Sequence, residues 1–99
     1  MREILLDSSD WRTRDDFYAA LLPALGAPEW HGRNLDALND TIHAGDINEI
    51  NPPFAIRIVG CDALSQDLRA YVYRFLELIA DLRKEGIPVE ATCSEAPYF

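Results

Sequence analysis

At 99 residues, with 48% hydrophobic and 26% charged side chains, the chain has the size and balance of one globular domain, which excludes a disordered chain or an array of domains. Nine Lys and Arg against 17 Asp and Glu leave a formal net charge of −8; such a field repels a polyanion such as RNA and steers in a basic partner, unless it serves solubility alone. No apolar run approaches the roughly 18 residues of a membrane span, and the N-terminal one is too short for a secretory leader, so the expectation is a cytoplasmic protein with no membrane contact.

The first element is a strand over Arg2 to Leu6, where Ile4, Leu5 and Leu6 form an unbroken apolar run suited to a buried position. The turn formers Asp7, Ser8, Ser9 and Asp10 end it. Thr13 then caps a helix with Asp15 and Asp16 in its first turn and an apolar stripe of Phe17, Leu21, Ala24 and Leu25. Pro23 is expected to kink that helix or end it a turn early, and Gly26-Ala27-Pro28 closes the segment. Asn34 caps a second helix that runs to His43 or Ala44, with Leu35, Leu38 and Ile42 inward; Gly45 ends it. Asp46 to Pro53 reads as a polar connection.

Phe54 to Val59 is a strand rich in β-branched residues, bounded by Pro53 and Gly60. Ser65 caps a long third helix, in which Leu68, Val72, Phe75, Ile79 and Leu82 repeat at helical spacing. Arg83 and Lys84 suit its last turn, and Gly86 stops it. Val89 to Thr92 or Cys93 is a last short strand. Ser94 to Phe99 is a tail, with Tyr98 and Phe99 placed to pack back onto the body. Cys61 and Cys93 form no C-x-x-C pair, and in a cytoplasmic protein they read as reduced, mostly buried thiols.

Strands separated by helices imply right-handed crossovers and a parallel sheet. The expected fold is α/β: one two-layer domain over residues 1–99, with a small, three-stranded, mainly parallel sheet packed by three to four helices.

The second helix carries the chemistry. At about 100° per residue, Asp36, Asp40 and His43 cluster beside the apolar stripe, with Asn39 at the border. Two aspartates one turn apart repel each other, and only Asp36 is near enough to the helix N-terminus to be offset by its dipole. A solvated polar face is the plain alternative. A metal site from Asp36, Asp40 and His43 is geometrically open, but no second cluster of ligands supports it, so no metal or cofactor is expected. Trp30 lies one turn before the helix, in a loop with Pro28 and Gly32, where an aromatic residue either anchors a partner or staples the loop to the core. Catalytic patterns are missing. The serines lie in turns and caps without a G-x-S-x-G elbow, and the glycines form no phosphate loop, so the chain does not read as an enzyme.

The stretch Pro28-Glu29-Trp30-His31-Gly32-Arg33-Asn34-Leu35-Asp36-Ala37-Leu38-Asn39-Asp40 resembles the signature of the barstar family, intracellular inhibitors of the ribonuclease barnase. The order of elements follows the family over nearly the whole chain. The resemblance implies that loop and helix enter a nuclease active site, with Asp40 in the place of the substrate phosphate and Asp36 as its companion. It further implies that Trp30 packs on the enzyme's catalytic loop, that Gly32 and Asn34 shape the contact, and that Asp81 is a peripheral acidic contact. With His31, Asn39 and His43 these residues make the expected partner-binding set. The implied partner is a basic ribonuclease, bound by a monomer without direct contact to nucleic acid. A barstar-like module for another basic toxin or a regulatory protein is the alternative. Arg33 stands where the family favours an acid, and Asn39 where it favours tryptophan; these differences bear on which target is bound.

Overall fold

The structure, a computed structural model, describes residues 1–45 and 47–94. The expected packing of Tyr98 and Phe99 lies outside the described residues, as does Asp46. Three strands, β1 (Arg2–Asp7), β2 (Phe54–Val59) and β3 (Val89–Ser94), form one sheet in the order β1-β2-β3. Both pairings are parallel, with Ile4 level with Ile56 and Ala91, and Leu6 level with Ile58 and Cys93. The helices are α1 (Arg14–Leu25), α2 (Leu35–Ala44) and α3 (Gln66–Lys84). A short 3-10 turn at Cys61–Ala63 links β2 to α3. Among the described residues three helices, the lower end of the expected three to four, complete the α/β fold.

One buried cluster joins the inner face of the sheet (Ile4, Leu6, Phe54, Ile56, Ile58 and Val89) to the apolar stripes of all three helices. α1 contributes Phe17, Tyr18, Leu21, Leu22 and Leu25; α3 contributes its whole expected stripe and Tyr71. Trp11, Phe17, Tyr18, Tyr71 and Phe75 form a chain of edge-on and tilted ring contacts, with centroids between 4.9 and 6.2 Å apart. Such pairs add about 0.5–1.5 kcal/mol each beyond area burial. The buried hydroxyls of Tyr18 and Tyr71 meet at 2.5 Å and tie α1 to α3.

Three expectations need correction. Leu5 is 71% exposed, so β1 alternates instead of lying buried. A two-layer fold covers only one face of the sheet, and on the open face Arg57 bridges Glu3 (3.2 Å) and Glu90 (3.5 Å) beside Leu5. α1 continues through Pro23 to Leu25, so the proline does not end the helix a turn early. The ring deprives only the Ala19 carbonyl of its helical partner, and Ala19 is exposed, so water can take that place. Gly26, at φ 65°, then ends the helix in the left-handed region.

The third correction concerns the thiols. Cys61 and Cys93 are joined in a disulfide with their Cα atoms 6.1 Å apart. The parallel register sets Cys93 beside Ile58 at the end of β2, and the 3-10 turn brings Cys61 back over it. Their sequence separation of 32 conceals this proximity.

The polar connection after α2 is fixed at two points. The amide of Glu49 donates to the Gly26 carbonyl (3.1 Å) and that of Ile50 to the Leu25 carbonyl (3.0 Å). Buried Asn48 lies between these anchors and α2. The connection therefore ties the end of α1 to the segment that follows α2.

Candidate functional site

α2 begins where the Asn34 side chain accepts a hydrogen bond from the Ala37 amide at 2.7 Å, satisfying one otherwise orphaned donor. It ends at Gly45, whose φ of 77° few other residues adopt; the Gly45 amide donates to the Thr41 carbonyl at 3.2 Å. Leu38, Thr41 and Ile42 are buried between these caps. That register fixes the opposite face. Asp36, Asp40 and His43 are exposed, and Asn39 is half-buried.

Among the described residues, neither Asp36 nor Asp40 makes a hydrogen bond or ion pair. Other surface acids do: Asp15 pairs with Arg33, Glu85 with His43, and Glu3 and Glu90 with Arg57. Asp36 and Asp40 are thus two carboxylates held by a capped helix with their acceptor capacity free. They can take forked hydrogen bonds from guanidinium or ammonium groups brought by another molecule.

The loop before α2 rules out one of the two readings of its aromatic residue. Trp30 is 72% exposed, so it does not staple the loop. His31 does that instead. It is 5% exposed, its Nδ1 donates to the Gly32 carbonyl at 2.7 Å, and its Nε2 lies 2.9 Å from the Thr41 hydroxyl. The His31 amide also donates to the Pro28 carbonyl at 3.0 Å. Asn48 reaches the same hydroxyl at 3.5 Å. His31 therefore lies inside the molecule, where it holds Trp30 outside and ties the loop to α2 and to the connection that follows it. At Gly32 a Cβ would sit 3.2 Å from the Cβ of Ala37 and 3.2 Å from Nδ2 of Asn34, closer than side chains usually pack.

Asp36, Asn39 and His43 also line a groove of about 410 Å³ between α2 and α3, whose far wall carries Glu77, Asp81 and Glu85. His43 Nε2 lies 3.2 Å from Glu85 and closes one end. Asp81 is exposed on this wall, within one groove with Asp36, while Asp40 lies beyond its rim. Glu77 and Glu85 escaped the sequence reading, although they flank Asp81 at intervals of four, the spacing of one helix face. Arg33, which departs from the family pattern, is occupied by Asp15 and takes no part in the acidic face. Among the described residues, no group of three or more His, Cys, Asp or Glu is arranged to hold a metal ion, and no helix is long and apolar enough to cross a membrane.

The arrangement is a protruding tryptophan, two unpaired aspartates one turn apart and an acidic groove beside them, all on rigid supports. A comparison with curated proteins returns no match. The family model described as Barstar (barnase inhibitor) matches residues 1–94. The match takes in the three strands, the three helices and the loop that holds Trp30, so the chain belongs to the Barstar family.

Proposed function

We propose that this protein is an inhibitor of a basic ribonuclease, acting inside the cell that makes the enzyme, and that it blocks the active site by presenting Asp36 and Asp40 in place of a substrate phosphate. The observation that carries the proposal is the pair of exposed, unpartnered carboxylates on a capped helix beside the exposed Trp30. A ribonuclease gathers cationic groups around the phosphate it cleaves. A fixed carboxylate offers those groups charge-assisted hydrogen bonds and no scissile ester, so the site is filled without turnover. The net charge of −8 draws a basic partner in at long range, and the local geometry selects its orientation. Trp30 supplies the large, rigid apolar contact typical of interface anchors.

Gly32, Asn34 and Asn39 shape the rim, His31 fixes the loop from within, His43 and Asp81 line the adjoining groove, and no metal or cofactor takes part. The protein binds as a monomer. The test is titration of RNA cleavage by barnase and by a second basic ribonuclease. The expected result is stoichiometric loss of cleavage with no consumption of the inhibitor. Full cleavage by both enzymes at a tenfold excess of protein would refute the proposal.

A further inference from the structure

Adjoining the acidic groove, and sharing Leu35, Asp36 and Arg74 with it, a hollow of about 210 Å³ between α1, α2 and α3 is lined by Arg14, Asn34, Leu35, Asp36, Tyr71 and Arg74. Two of these six residues are cations and one is an acid. The guanidinium carbon of Arg14 lies 4.2 Å from the centroid of the Tyr71 ring, and that of Arg74 lies 5.9 Å from it. The ring is a fixed platform, because the Tyr71 hydroxyl is held by that of Tyr18.

Two features mark this pair. Both guanidinium groups lie over one buried ring, and neither has an ion-pair partner among the described residues; Arg2, Arg12 and Lys84 share that second property, whereas Arg33, Arg57 and Arg83 are paired. Arg14 is also the first residue of α1, where the helix dipole disfavours a cation, so helix stability does not account for its position. The structure holds two like charges over one ring, neither of them in an ion pair, in a hollow whose wall also carries the Asp36 carboxylate of the partner-binding face.

We infer that this hollow receives a carboxylate side chain of the partner protein. Stacking engages the flat face of a guanidinium and leaves its N–H edge free for an acceptor in the plane, and two such groups suit a carboxylate's two oxygens. The contact surface is then mixed in sign: Asp36 and Asp40 meet the partner's cations, while Arg14 and Arg74 meet an acid at the edge of the same cleft. The inference rests on the proposed docking face and adds a specificity requirement to it. A target must carry an acidic residue next to its cationic site, and a merely basic protein lacks half of the match.

The test uses opposing signs, with barnase as the probe. Arg14→Gln/Arg74→Gln makes the chain two charges more negative. Long-range attraction alone would therefore speed its association with a basic enzyme. The seated carboxylate predicts the reverse, a Kd at least tenfold higher that arises from faster dissociation. Arg14→Lys/Arg74→Lys should recover only part of the loss, because lysine cannot donate in a fork. Asp40→Ala is measured in parallel. If Asp40→Ala weakens binding while Arg14→Gln/Arg74→Gln leaves it unchanged or tighter, the inference is overturned and the docking face stands.

If the parent protein does not bind barnase, the docking face fails for that enzyme, and the hollow is tested alone by NMR of the arginine Nε–Hε resonances. Sodium acetate should then shift Arg14 and Arg74 saturably, beyond the effect of sodium chloride at equal ionic strength. No such shift, or saturation by inorganic phosphate but not by acetate, would overturn the inference.

Discussion

The Tyr18–Tyr71 bond gives a sharp test of how α1 is fixed to α3, because removing one hydroxyl should cost more than removing both. Tyr18 is 1% exposed and its hydroxyl meets that of Tyr71 at 2.5 Å. Tyr71→Phe leaves the Tyr18 hydroxyl dry and unpartnered, a penalty of about 1–3 kcal/mol. For a chain of this size, about 2 kcal/mol corresponds to a fall in Tm of roughly 8–16 °C. Tyr18→Phe should cost somewhat less, since Tyr71 is 7% exposed and nearer to water. Tyr18→Phe/Tyr71→Phe strands no polar atom and keeps every ring contact, so its cost should be about 1 kcal/mol or less.

Calorimetric melts of the four proteins provide the comparison. A double variant whose loss equals the sum of the single losses, to within about 0.5 kcal/mol, would show the hydroxyls to be energetically independent and refute the reasoning. The same pair predicts an alkaline limb. Burial first, and the Tyr71 hydroxyl second, push the Tyr18 phenol well above its ordinary 10.0. The folded state therefore keeps a proton that the unfolded chain releases near pH 10. This contribution is complete below that pH and declines above it, and Tyr18→Phe should abolish the decline.

Other parts of the molecule give further expectations. The Asp16 carboxyl is held below its ordinary 3.8 by the amides of Arg12 and Thr13, so its contribution is complete above about pH 4 and is lost as pH falls below; Asp16→Asn should flatten that acid limb in melts between pH 2 and 5. Thiol titration of the air-equilibrated native protein should find no free thiol, and reduction should destabilise the fold by about 3–4 kcal/mol, the chain-entropy value for a loop closed over a separation of 32 residues. Gly26→Ala should cost more than Gly45→Ala in denaturant melts. Both residues have positive φ, but a Cβ at Gly26 would lie 2.5 Å from the Cβ of Glu49, whereas at Gly45 nothing is within 4 Å.

Much of this fold was written in local signals. Thr13, Asn34 and Ser65 each accept the hydrogen bond expected of a helix cap, and Gly26 and Gly45 end their helices in the left-handed conformation. Such features depend on a few neighbouring residues, so sequence spacing is enough to find them. Readings that depended on distant segments were less accessible. The run Ile4-Leu5-Leu6 looks uniformly buried until the sheet is known to have one bare face. Cys61 and Cys93 meet only through the parallel register of β2 and β3.

The candidate site divides in the same way. Helical periodicity placed Asp36, Asp40 and His43 on one face of α2, but it could not show that His31 turns inward to Thr41 while Trp30 turns out. Nor could it bring Arg14 and Arg74, 60 positions apart, to the same tyrosine ring. Periodicity reports which side of its own helix a residue occupies. What stands opposite that side is decided by tertiary packing.

Binding kinetics of the purified chain with a ribonuclease it inhibits measure directly what Asp40 and Asp36 do at a nuclease active site. Asp40→Ala should raise Kd by about 2–5 kcal/mol, roughly 30- to 5000-fold, a range to which the barnase–barstar pair itself contributes. Asp36→Ala should follow with a smaller loss, and the Tm should stay within about 3 °C of the parent in both variants because neither carboxylate has an internal partner. Unchanged affinity in Asp40→Ala, with the fold intact, would contradict the claim that this carboxylate stands in for the phosphate.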